Sequence, residues 1–118
     1  MIIGEVVLES GYMKIAEKSE IQIGKMKKVA SQGKEILIAN VNGNFYAISN
    51  KCTHAGGDLS QGTLEGNIVT CPKHKSKFDV TTGKVVSPPK MGLFHPKIKD
   101  AQSYVVKIEN EDIFIKIQ

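Results

Sequence analysis

The sequence predicts an all-β fold, on three observations. Short runs of β-branched and other apolar residues recur along the chain, broken by Gly, Asn, Asp and Pro. Two of these breaks, Asn42-Gly43 and Asn110-Glu111, sit between alternating arms and read as hairpin turns. No segment keeps the 3.6-residue apolar period through three helical turns.

Taken in order, residues 1–8 are rich in β-branched side chains and read as a strand, which Glu9-Ser10-Gly11 breaks. Residues 1–11 are therefore expected to form an extra N-terminal strand, at a sheet edge or against another subunit. Residues 14–23 alternate weakly up to Gly24, and residues 25–30 form a strand that turns at Gln32-Gly33. Residues 34–41 carry the fullest strand pattern and pair through Asn42-Gly43 with residues 45–48. Further turns fall at Gly66-Asn67 and Thr82-Gly83, with strands at 68–70, 78–80 and 84–86. Pro88-Pro89 cannot continue a central strand, and residues 90–102 have no regular pattern. Residues 103–109 and 112–117 alternate as one closing hairpin.

At 118 residues the chain is expected to be a single domain, 1–118, without repeats or linkers. No apolar run is long enough for a membrane span, and the N-terminus lacks the layout of a secretion signal. The net charge of +4 raises nucleic acid as a partner, but every basic residue is a lysine. Arginine is the usual reader of guanine edges, so a solvated lysine surface is the better reading.

The chemistry is concentrated at residues 52–79. The only cysteines, Cys52 and Cys71, are each followed closely by a histidine, His54 and His74. The pattern is C-x-H, sixteen intervening residues, then C-x-x-H. Two thiolates and two imidazoles make a soft donor set suited to one Zn²⁺ or to a [2Fe-2S] cluster in which two histidines serve one iron. Zinc fingers run Cys-Cys then His-His, with the histidines on a helix; here both clips are mixed and lie among strand formers. With both cysteines committed to metal, no disulfide remains, which suits a cytoplasmic location.

Cys-Thr-His-Ala-Gly-Gly at 52–57 and Cys-Pro-Lys-His-Lys-Ser-Lys-Phe-Asp at 71–79, with Thr82-Gly83-Lys84 and Pro88-Pro89, resemble a Rieske iron–sulfur protein. The similarity is detailed from about residue 40 to 89, and it points to small Rieske-type ferredoxins of the archaeal kind. It implies small antiparallel sheets with the clips at one end, a cluster-binding part at about 45–89, and one [2Fe-2S] cluster on Cys52, His54, Cys71 and His74. High-potential members carry an additional cysteine pair that bridges the clips; Gly57 and Lys73 stand at those positions here. Phe78 replaces a tyrosine that donates to a sulfur, whereas Ser76 matches a serine that donates to a bridging sulfide.

The resemblance implies a one-electron carrier between a reductase and an oxygenase or other redox enzyme, with no catalytic residues of its own. The alternatives are a zinc-stabilised interaction module and a ligand-free Rieske-like subunit, the latter disfavoured by four ligands in place. His95 is left outside the ligand set. Lys51, Lys73, Lys75, Lys77, Lys84 and Lys90 outnumber Asp58, Glu65 and Asp79 in the cluster segment, so redox partners with acidic docking surfaces are expected, and neither nucleic acid nor a membrane anchor.

Overall fold

The computed structural model describes residues 11–117, so the strand expected at 1–8 lies outside the described residues. Among the described residues eleven strands run in chain order: β1 (Tyr12–Glu17), β2 (Met26–Ser31), β3 (Lys34–Val41), β4 (Asn44–Ser49), β5 (Thr63–Glu65), β6 (Ile68–Thr70), β7 (Lys77–Asp79), β8 (Val85–Ser87), β9 (Ser103–Tyr104), β10 (Val106–Glu109) and β11 (Asp112–Lys116). The only helical turns among the described residues are two short 3₁₀ turns, Lys18–Glu20 and Leu59–Gln61. The strands form three antiparallel sheets, ordered β1-β11-β10, β2-β3-β4-β9 and β5-β6-β7-β8. All-β architecture and small antiparallel sheets are thus both borne out.

The middle sheet explains why residues 34–41 read as a nearly unbroken apolar run. Side chains alternate faces along a strand. From β3, Ile36 and Ile38 enter one core while Leu37 and Ala39 enter another. β4 divides likewise: Phe45 and Ala47 join the first core, and Ile48 joins the second. The first core is completed by Ala16, Ile21, Ile113 and Ile115 from the β1-β11-β10 side. The second is completed by Leu59, Val69, Phe78 and Val80 from the β5–β8 side, and it contains both cysteines. A strand buried on both faces needs apolar residues at successive positions, unlike a half-exposed one. Each fully buried Ile or Leu contributes roughly 1.5–3 kcal/mol.

The hairpin at Asn42-Gly43 forms as expected, with both residues at positive φ, 54° and 91°, the pair a type I′ turn requires. The closing hairpin also forms, but its first arm differs from expectation. Residues 103–109 are not one strand: Ser103–Tyr104 pairs with β4, whereas Val106–Glu109 pairs with β11. The chain changes sheets at Val105, so alternation continues through a break in pairing that periodicity cannot register.

Candidate functional site

Each cysteine opens a loop built on the same hydrogen bonds. In the first loop, Cys52 N–H donates to the Gly57 carbonyl at 2.8 Å and Gly56 N–H donates back to the Cys52 carbonyl at 3.0 Å. In the second, Cys71 N–H donates to the Ser76 carbonyl at 2.8 Å and Lys75 N–H to the Cys71 carbonyl at 3.1 Å. Gly56 and Lys75 therefore correspond, and both lie in the left-handed region, at φ 69° and 65°. Glycine adopts that conformation freely; Lys75 does so at a cost of about 1 kcal/mol or more.

The first loop follows β4 and the second follows β6, as the sequence indicates, but these strands belong to different sheets. The tips are therefore not brought together by pairing of their own strands. Packing of the second core does this, since Cys52, Cys71, Leu59, Val69 and Phe78 share one buried cluster with Leu37 and Ile48.

Cys52 and Cys71 are free thiols, 3% and 1% exposed. The Ser76 hydroxyl lies 3.2 Å from the Cys52 sulfur. Burial pushes the Cys71 thiol above its ordinary pKa, against the opposing pull of the Lys73 and His74 N–H groups aimed at its sulfur; the neighbouring Cys52 adds to the rise. His54 and His74 are half-buried, their rings meeting edge-on with centroids 4.9 Å apart. The four expected ligands thus gather as a sulfur pair and an imidazole pair. Among the described residues, no three His, Cys, Asp or Glu side chains converge as they would on a single ion.

Two observations test whether these residues suit a metal cluster. The Nδ1 atom of His74 is buried and has no hydrogen-bond partner. Such an orphaned polar atom costs roughly 1–3 kcal/mol unless something satisfies it, and a neutral imidazole nitrogen is a common metal ligand. Gly57, in turn, leaves room at the Cys71 sulfur: a Cβ there would lie 2.7 Å from Sγ, too close for any side chain. The donor set and the space beside it fit a [2Fe-2S] group.

A polar network holds the base of the first loop. Asp58 accepts from Asn50 Nδ2 at 2.7 Å, from the Ser60 amide at 3.0 Å and from Lys28 Nζ at 2.8 Å. Lys28 first, then Ser60 and Asn50, hold its carboxyl far below the usual range. The fully buried Asn50 also accepts from Ser60 N–H at 2.9 Å, and its backbone carbonyl accepts from Leu59 N–H at 2.9 Å. In the sequence Asp58 enters only as a charge near the clips, and Asn50 carries no signal. Nothing in the local pattern marks a strand-end Asn as a loop anchor.

The irregular segment after Pro89 also touches both loops. Lys90 N–H donates to the His74 carbonyl at 2.6 Å, and the Thr53 hydroxyl donates to the Lys99 carbonyl at 2.6 Å. His95 stays outside the site: it is exposed and its Nε2 lies 3.2 Å from the Gly92 carbonyl.

Two buried cysteine thiols and two half-buried imidazoles, on two matching loops of a three-sheet fold, suit the class of iron–sulfur protein whose cluster takes both kinds of ligand. The family model for the Rieske [2Fe-2S] domain matches residues 11–111, and the chain belongs to this family. Its cofactor is one [2Fe-2S] cluster, and it is an electron-transfer protein of the Rieske ferredoxin type rather than an enzyme. The ferredoxin component of the naphthalene 1,2-dioxygenase/salicylate 5-hydroxylase systems of Ralstonia sp is 40% identical over 99 residues, covering 84% of this chain and 88% of that one. The biphenyl dioxygenase ferredoxin subunit of Pseudomonas sp. (strain KKS102) is 33% identical over 105 residues, with coverage of 88% and 90%. The solved ferredoxin of carbazole 1,9a-dioxygenase from Nocardioides aromaticivorans IC177 superposes with a TM-score of 0.79 at 25% identity, covering 92% of this chain and all of that one. A chain from a complex of reduced oxygenase and oxidised ferredoxin in carbazole 1,9a-dioxygenase also gives a TM-score of 0.79, at 27% identity, with coverage of 90% and 93%. The organisms named among these relatives are bacterial and lend no support to the archaeal kind expected from the sequence. No helix among the described residues is long and apolar enough to cross a membrane.

Proposed function

We propose that Cys52 and Cys71 bind one iron of the cluster and His54 and His74 the other, and that the chain passes single electrons from a reductase to the terminal oxygenase of a dioxygenase system. The ligand assignment is carried by two buried free thiols and, on the same two loops, two half-buried imidazoles that meet edge-on, one bearing an unpartnered nitrogen. Support for the carrier role comes from the relatives, ferredoxin components of dioxygenase systems, and from the similar ferredoxin solved with its oxygenase.

When bound, the cluster supplies a one-electron redox couple, which neutral imidazoles make easier to reduce than an all-thiolate set. The chain's own residues tune and orient it. The Lys73 and His74 N–H groups at the Cys71 sulfur, and the Ser76 hydroxyl at the Cys52 sulfur, stabilise negative charge there. The cysteines are buried while the histidines are half-buried, so an approaching partner meets imidazole edges first. The lysines of the cluster segment favour partners with acidic docking surfaces.

Residues 1–118 are read as one domain, which the family match spans over most of its length. A cytoplasmic location accords with both cysteines serving metal rather than a disulfide. The archaeal kind rests on the resemblance alone.

Anaerobic purification with a visible spectrum and an iron count tests the reading. A red-brown protein with about two irons per chain is expected, and loss of the spectrum in His54→Ala and in His74→Ala. A colourless protein containing zinc, or a native spectrum in either variant, would overturn the ligand assignment.

A further inference from the structure

Between β8 and β9 the chain leaves the sheets and passes both metal-ligand loops. It is tied to the second at Lys90 and to the first at Lys99, through the 2.6 Å contacts to the His74 carbonyl and the Thr53 hydroxyl. Ala101, 4% exposed, roots its far end in the core that holds the cysteines, and its N–H donates to the Gly83 carbonyl at 2.7 Å. Between these ties, Met91 and Phe94 exchange backbone hydrogen bonds of 3.2 and 3.0 Å across a tight turn, with Gly92 at φ 65°. The excursion is thus a defined knuckle braced against the site.

The knuckle holds apolar side chains out in water. Leu93 is 104% exposed, Phe94 64% and Met91 40%. Single exposed apolar residues are ordinary, but three within four residues of a braced turn form a patch. The surroundings are basic: Lys90, Lys97 and Lys99 lie on the same excursion, and Lys73 and Lys75 on the adjoining loop. Asp100 is the one acid between residues 89 and 102, and its carboxylate accepts the Val85 N–H at 2.9 Å.

We propose that the Met91–Phe94 turn is the apolar anchor by which this protein docks on the oxygenase that receives its electron, Leu93 and Phe94 entering an apolar depression rimmed by carboxylates. The inference rests on the electron-carrier reading and adds to it a surface and the chemistry of its partner. Charge complementarity sets the chemistry of the partner, and the similar ferredoxin solved in complex with its oxygenase points to the oxygenase as occupant. A second copy would set lysine against lysine, whereas a carboxylate-rimmed socket would be drawn to the collar and would desolvate the apolar tip. Because Lys90 is bonded to the His74 backbone, a partner seated on the knuckle is brought against the imidazole edge of the site. Transient redox complexes bury little area, so one or two well-seated side chains can dominate their affinity.

The test is the Leu93→Ser, Phe94→Ser double variant of the cluster-loaded protein. Its visible spectrum, midpoint potential and sedimentation are compared with those of the native protein. Electron transfer is then followed to the oxygenase components of the naphthalene and biphenyl dioxygenase systems, and from their reductases. Expected are an unchanged spectrum and potential, an unchanged limiting rate, and a half-saturating oxygenase concentration raised about tenfold or more. Unchanged half-saturation overturns the docking proposal and leaves the carrier reading standing. So does weakened exchange with the reductase alone, self-association lost in the variant, or variant-sensitive binding to anionic lipid vesicles. A native protein with an intact cluster that reduces neither oxygenase overturns the oxygenase as occupant, and a native protein without the cluster spectrum overturns the carrier reading itself.

Discussion

Gly57 and Ser76 hold the same place in two matching loops, five residues after a cysteine, and each faces the cysteine sulfur of the other loop. The Ser76 hydroxyl stands 3.2 Å from Cys52 Sγ. At Gly57 even a methyl group would come within 2.7 Å of Cys71 Sγ. One loop thus brings a donor to the opposite sulfur and the other leaves it space.

Gly57→Ala removes that space. The Cys71 sulfur or the loop must shift, an overpacking that costs about 1–3 kcal/mol. The variant is expected to retain its β-sheet circular dichroism but purify with less than about half the native iron content. Native iron content together with native thermal stability would show that the loop yields without cost.

Ser76→Ala removes a donor without closing any space. Iron content and the general form of the spectrum are expected to persist, while the midpoint potential falls because negative charge on the sulfur loses a hydrogen bond. The native midpoint is itself expected toward the lower part of the Rieske window, about −150 to 0 mV, since Gly57, Lys73 and Phe78 supply neither a disulfide nor a hydroxyl. Protein-film voltammetry measures both values. A native midpoint above about +150 mV, or a variant midpoint no lower than native, would contradict this account.

Asp58 couples loop stability to acid. Its carboxyl is held below the ordinary range by Lys28, Ser60 and Asn50. A carboxyl with a depressed folded-state pKa contributes stability that is complete above its unfolded value, near 4, and is lost as pH falls toward the folded value. Asp58→Asn is expected to cost about 1–3 kcal/mol at pH 7, with a deficit that shrinks below about pH 4. Thermal melting followed by circular dichroism from pH 7 to pH 3 checks both parts. A deficit that stays constant with pH would assign the loss to geometry rather than charge.

The lysine collar is expected to act on encounter rate. Lys73→Glu with Lys75→Glu should slow second-order electron exchange with an acidic reductase at low salt by about tenfold, and the difference should narrow toward half-molar salt as screening grows. Stopped-flow rates on cluster-loaded proteins decide it; rates indifferent to both salt and charge reversal would leave these lysines as solubilising surface.

Much of this protein was legible in one dimension because its chemistry is local. The clips Cys52-x-His54 and Cys71-x-x-His74 set a thiol and an imidazole close together, since spacing within a short loop is fixed by the chain itself. Strand positions such as 34–41, and the turn at Asn42-Gly43, follow from side-chain alternation and from the positive φ that Asn and Gly tolerate. What the tertiary structure alone decided are the relations between segments distant in sequence. The two loops hang on different sheets and meet through a shared core rather than through strand pairing, a choice that no period in the sequence encodes. The split at Val105 depends on which sheet offers a free edge on either side of it. The cluster-binding part expected at 45–89 gains its outer wall from the patternless residues 90–101, because backbone groups at Lys90 and Lys99 bond to the loops, and backbone groups are the same in every sequence.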